Sequence, residues 1–93
     1  MKYFKIDKNI SYVFEEDSVI ILNFREGEFS LLNGLYAKII RLIDENSKVI
    51  CEHELKSKLL KNENFSYEKV ISKLVENGIV ICEWVEHEND KKN

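Results

Sequence analysis

The sequence predicts an α+β domain, built as a three-stranded antiparallel sheet, then three helices, then a short C-terminal strand. Two β-rich runs, Val19-Ile20-Ile21-Leu22-Asn23-Phe24 and Phe29-Ser30-Leu31-Leu32, flank Glu26-Gly27, which supplies a tight turn with one position free for positive φ. Behind them come three stretches with apolar residues at helical spacing, separated by polar breaks. The chain has 93 residues, enough for one core and too few for two. Residues 1–85 are expected to form the domain, and residues 86–93, nearly all polar, to fray.

In chain order, Met1 to Ile10 alternates poorly, and Tyr3, Phe4 and Ile6 either form a short strand or pack against one. Ser11 to Glu15 reads as the first strand of the sheet, with Tyr12 and Phe14 on one side and Val13 and Glu15 on the other, ending at a Glu16-Asp17 turn. If Glu26-Gly27 is a two-residue loop, Arg25 faces Glu28, Phe24 faces Phe29, Asn23 faces Ser30 and Leu22 faces Leu31. Each such pair stabilises a ladder by roughly 0.2–1 kcal/mol. One face then holds Ile20, Leu22, Phe24, Phe29 and Leu31, and the other, with Asn23, Arg25, Glu28 and Ser30, is at least partly wet.

The third strand runs straight into the first helix, with the Asn33 side-chain carbonyl as a candidate cap for a helix starting at Gly34 or Leu35. Leu35, Tyr36, Ile39, Ile40, Leu42 and Ile43 make this the central core helix. Asn46-Ser47-Lys48 breaks it, and Val49-Ile50-Cys51 is a short extended piece before a second helix over about Glu52 to Lys61, with Leu55, Leu59 and Leu60 inside. Asn62 to Phe65 is a turn. Ser66 caps a third helix bearing Tyr67, Val70, Ile71, Leu74 and Val75, and Asn77-Gly78 ends it. A last strand spans Ile79 to Val85. Helix, turn, helix, then a strand is winged helix-turn-helix order, here preceded by a meander.

Lys and Arg number 14 against 17 Asp and Glu, a formal charge of -3, which gives no general attraction for nucleic acid or an acidic membrane. The start, Met1-Lys2-Tyr3-Phe4-Lys5-Ile6-Asp7, lacks the apolar run of a signal peptide, and no segment approaches the ~20 apolar residues of a membrane span. A cytoplasmic protein is expected. Cys51 and Cys82 fit a reducing compartment as small buried hydrophobes, with a disulfide as the alternative.

Catalysis finds little support: the acids are scattered, no nucleophile sits in a recognisable turn, and three glycines make no phosphate loop. No cofactor is expected. Cys51 with His53 and Cys82 with His87 suggest a metal, but the spacings match no usual zinc pattern, so no metal site is expected either. A DNA-binding regulator of the winged-helix type is the alternative function, and its recognition helix would be the third. That helix has only two basic residues, Lys69 and Lys73, and the would-be wing, Cys82 to Glu88, is acidic. A peptide-binding module that adds a guest strand to its own sheet fits better, with Glu28 to Leu32 as the edge and the third helix as the opposite wall. Phe29, Leu31, Val70 and Leu74 then read either as core or as the floor of a groove.

The run Glu26-Gly27-Glu28-Phe29-Ser30-Leu31-Leu32-Asn33-Gly34, with Ala37, Ile39, Leu42, Val49, Leu55, Leu59, Val70, Leu74, Val75, Gly78 and Ile79, resembles the pyrroloquinoline quinone biosynthesis protein D (PqqD) family. This is the recognition element for precursors of ribosomally made, post-translationally modified peptides. The resemblance spans about Ser11 to Trp84. It implies that an extended leader peptide pairs with the third strand and lies between that strand and the third helix. Carried onto this chain, Glu28, Phe29, Ser30, Leu31 and Leu32 would supply the edge. Phe29, Leu31, Val70 and Leu74 would line the cleft, and Lys69 and Lys73 would meet acidic leader residues. The implied partners are the leader of a precursor peptide and a separate modifying enzyme: a radical SAM enzyme, a cyclase or a leader protease.

Overall fold

Two small antiparallel sheets and three helices make up the described residues, 1–59 and 66–85 of the computed structural model. The order is β1 (Lys2–Ile6), β2 (Ile10–Glu15), β3 (Ser18–Asn23), β4 (Glu28–Leu32), α1 (Gly34–Glu45), β5 (Val49–Cys51), α2 (Glu52–Leu59), α3 (Tyr67–Glu76) and β6 (Val80–Trp84). The expected second-helix residues Leu60 and Lys61, the turn over Asn62 to Phe65 and the tail from Glu86 lie outside the described residues. No helix among the described residues is long and apolar enough to cross a membrane.

The N-terminal segment is more than the sequence suggested. β1 is the middle strand of a second sheet, β5-β1-β6, with Phe4 opposite both Ile50 and Cys82. Its alternation is weak because Tyr3 and Lys5 cover the outer face while Phe4 supplies most of the inner one, where it is 1% exposed. Its partners lie more than forty residues away, so no hairpin signal announces it. Register also separates the cysteines. Cys51 pairs with Tyr3 and Cys82 with Phe4, so side-chain alternation puts them on opposite faces of the sheet, and both are free thiols.

The meander β2-β3-β4 forms with the expected two-residue Glu16-Asp17 turn, but its second hairpin is two residues out of the expected register. The Asn23 side chain accepts from the N–H groups of Arg25 (2.9 Å) and Glu26 (3.3 Å), and the Gly27 N–H donates to the Asn23 carbonyl at 2.7 Å. This Asx turn spends residues 24–27 on the loop and puts Gly27 at φ 69°, the left-handed region. The pairs are therefore Asn23 with Glu28, Leu22 with Phe29, Ile21 with Ser30, Ile20 with Leu31 and Val19 with Leu32.

A shift of two keeps each residue on its expected face, yet the face that points inward is the other one. Val19 and Ile21 are buried, with Tyr12, Phe14 and Leu32 packed around them. Ile20, Phe29 and Leu31 are exposed on the outside. Charged helix side chains reach β2 on its inner side. The Tyr12 hydroxyl donates to Asp44 Oδ1 (2.7 Å), and Arg41 donates to the Glu16 carbonyl (2.7 Å) while lying 4.3 Å from the Phe14 ring.

The helices fill the space behind both sheets. Ala37, Ile39, Ile40 and Ile43 of α1, Leu55 and Leu59 of α2, and Val70, Ile71 and Leu74 of α3 are buried, the larger of them stabilising by roughly 1.5–3 kcal/mol each. Asn33 does not cap α1 with its side chain. The chain enters the helix through Gly34 at φ 59°, and only the Asn33 carbonyl engages the first turn. Ser66 does cap α3, its Oγ accepting from the Lys69 N–H at 3.4 Å. The far end of α3 closes as a Schellman motif, with the Gly78 N–H donating to Val75 and the Ile79 N–H to Leu74.

Candidate functional site

Alternation of the ladder decides what β4 leaves open. The Phe24 N–H donates to the Asn9 carbonyl at 3.0 Å, so even-numbered β3 residues bond toward β2 and Val19, Ile21 and Asn23 bond toward β4. Their partners Leu32, Ser30 and Glu28 spend their backbone groups on β3. Phe29 and Leu31 therefore turn their N–H and C=O groups to the outer rim, and among the described residues no backbone bond reaches them from elsewhere. The strand has a free edge of two donors and two acceptors.

Beside that rim lies an open cavity of about 440 Å³ between β4 and the C-terminal end of α3. Glu28, Ser30 and Leu32 face it from the strand, and Glu76 and Asn77 from the helix. Asp7 and Arg25 close one end, their side chains 4.0 Å apart. Asp7 is held by its own turn, where Asp7 Oδ1 accepts the Asn9 N–H (2.8 Å) and its carbonyl accepts the Ile10 N–H (3.0 Å). The Asp7 N–H donates to the Ile79 carbonyl (2.9 Å), which ties this turn to the end of α3. The lining holds four carboxylates, Asp7, Glu26, Glu28 and Glu76, against the single guanidinium of Arg25.

The residues that sequence reasoning assigned to a cleft divide accordingly. Glu28, Ser30 and Leu32 line the groove; Phe29 and Leu31 supply the rim's backbone but point their side chains to the opposite, outer face. Val70 and Leu74 do not reach the groove, because they face α1 and the core. Lys69 and Lys73 lie on the exposed side of α3, along a shallower hollow of about 280 Å³ that shares Glu76 with the groove. Sequence reasoning missed Asp7, Asn23 and Glu76. The spacing Asp7-Lys8-Asn9 was a readable Asx-turn signal, while Glu76 became visible only once α3 was oriented.

Two phenols titrate abnormally, both outside the groove. Tyr12 is pushed up to about 12 by burial first and then by its hydrogen bond to Asp44. Burial, then the Glu52 carboxylate, raises Tyr67, whose hydroxyl donates to Glu52 at 3.2 Å. These groups fasten helices rather than face a ligand. Among the described residues no three His, Cys, Asp or Glu side chains gather as metal ligands would.

Compared with protein-family models, with curated proteins and with solved structures, the chain finds no match.

Proposed function

We propose that this chain is a peptide-binding adaptor: it captures an extended segment by strand addition to β4 and presents it to a separate enzyme. The observation that carries this reading is the free rim of Phe29 and Leu31 beside a cavity bounded by α3. The residue pattern resembles that of PqqD-like recognition elements, and on that resemblance the guest is the leader of a ribosomal precursor peptide. The enzyme would then be a radical SAM enzyme, a cyclase or a leader protease. On this reading α1, α2, α3 and the strand β6 that follows them stand in winged-helix order, used to hold a peptide rather than a duplex.

Magnitudes set what the groove must do. Four backbone bonds at a net ~0.5–1.5 kcal/mol each give only a few kcal/mol, and ordering a disordered guest costs about 2–5 kcal/mol. The ladder alone is near break-even. Two side-chain anchors at roughly 1.5–3 kcal/mol each are needed to approach micromolar affinity, about -8 kcal/mol.

The alternative, a winged-helix DNA-binding regulator, has less behind it. The exposed side of α3 offers Lys69 and Lys73 alongside Glu68 and Glu76, which leaves no net positive charge for phosphates. The test is fluorescence anisotropy with the N-terminal part of a precursor peptide encoded beside this protein. Saturable binding that Leu31→Pro abolishes supports the adaptor. A mobility shift with duplex DNA that persists at moderate salt, with no peptide binding, supports the regulator.

A further inference from the structure

The outer face of β2-β3-β4 is apolar and uncovered. Phe29 is 74% exposed, Leu31 61% and Val13 59%, and Ile20 lies between Val13 and Leu31 across the sheet. A strand added to β4 must place alternate side chains on that face, because the residues opposite Phe29 and Leu31 share their side of the pleat. The residue between them, opposite Ser30, points the other way, into the groove. There Glu28 and Glu76 stand with Asp7 and a single cation, Arg25. Among the described residues neither Glu28 nor Glu76 has an ion-pair partner.

We infer that the guest is read chiefly on the outer face: it carries large apolar side chains at two positions two residues apart, with a lysine or arginine between them. This rests on the strand-addition reading above and gives it a substrate class. The apolar pair extends the Phe29, Leu31 and Ile20 surface by one strand, and the cation answers the carboxylates around Ser30. A second copy of the chain fits this face less well. The exposed apolar side chains offer on the order of 500 Å², within the range of an ordinary monomer's largest patch and short of the ~800 Å² per partner of a stable interface. A few guest residues need only the part bordering β4.

The test uses short labelled peptides with Leu-Lys-Leu, Ser-Lys-Ser or Leu-Glu-Leu at the centre of one Thr/Ser-rich sequence, titrated against the full chain by anisotropy. Leu-Lys-Leu should bind about tenfold or more tighter than Ser-Lys-Ser, and about fivefold tighter than Leu-Glu-Leu at low salt. Replacing Phe29 and Leu31 together by serine should bring Leu-Lys-Leu down to the Ser-Lys-Ser level, with an unchanged thermal transition. Glu28→Gln combined with Glu76→Gln should erase the preference for lysine over glutamate. Equal affinity for Leu-Lys-Leu and Ser-Lys-Ser, with both lost in Leu31→Pro, overturns this inference and leaves strand addition standing. Binding by no peptide, or binding indifferent to Leu31→Pro, overturns both. A dimer in sedimentation velocity that Phe29→Ser dissociates overturns the inference in favour of a second copy.

Discussion

The two sheets differ in what they leave open. In β5-β1-β6 the outer face is crossed by the Lys5–Glu83 ion pair (3.1 Å), and of its two edge strands β5 has three residues, too few to template another chain, while β6 has five. The ion pair and the short strand blunt a sheet against pairing. In β2-β3-β4 the edge strand has five residues, its outward side chains are Phe29 and Leu31, and its rim is free. The inner faces of both sheets feed one core, so stability is shared between them, while the exposed apolar outer face beside a long edge strand belongs to β2-β3-β4. Within the second sheet α1 side chains also reach β2, at Tyr12, the Phe14 ring and the Glu16 carbonyl.

Two phenylalanines sharpen that contrast most. Phe4→Ala, at the centre of β5-β1-β6, should lower stability by about 3–5 kcal/mol in urea denaturation. Phe29→Ala should move it by no more than about 0.5 kcal/mol. A loss at Phe29 matching that at Phe4 would mean that the outer face is covered in solution.

Neighbours on β4 make the next comparison. Ser30→Pro removes an N–H that bonds to β3 and should cost on the order of 1–3 kcal/mol. Leu31→Pro removes a rim donor only, as edge strands tolerate, and should leave the melting temperature nearly unchanged while abolishing peptide binding. Equal damage from both would contradict the assigned ladder.

The helix entries differ in the same way. Ser66→Ala should cost about 1 kcal/mol by removing the cap of α3. Asn33→Ala should cost only a few tenths of a kcal/mol, because its side chain bonds nothing at the start of α1.

A further effect appears in pH. Tyr12 is raised from 10.0 to about 12 in the folded chain, so its neutral form is the one the fold favours. Its contribution is complete below pH 10 and is lost as pH rises through about 12. Thermal melts across that window should fall less steeply for Tyr12→Phe than for the parent chain, once other titrating groups are accounted for by the difference.

The sequence made some of this legible and hid the rest for identifiable reasons. The helices, the Ser66 cap and the Asn77-Gly78 stop were readable because local chemistry decides them. The inward face of the meander was not. Val19-Ile20-Ile21-Leu22 is apolar at every position, so period-two patterning cannot choose a side, and the choice falls to Tyr12, Phe14 and Leu32 packing against α1. The hairpin register turned on Asn23, whose side chain captured Arg25 and Glu26 and lengthened the loop. β1 was nearly invisible because both its partners are distant in sequence. At the site, the strand edge was legible from Glu28 to Leu32, whereas the groove wall was not, since Val70 and Leu74 turned to the core and Asp7 and Glu76 took their place.

Amide hydrogen exchange at single residues tests the free edge most directly. In the chain alone, Ser30 and Leu32 should be protected while Phe29 and Leu31 exchange freely. Saturating Leu-Lys-Leu peptide should then slow Phe29 and Leu31 and leave Ser30 as it was. Protection of Phe29 and Leu31 before any peptide is added, or none after saturation, would contradict the account.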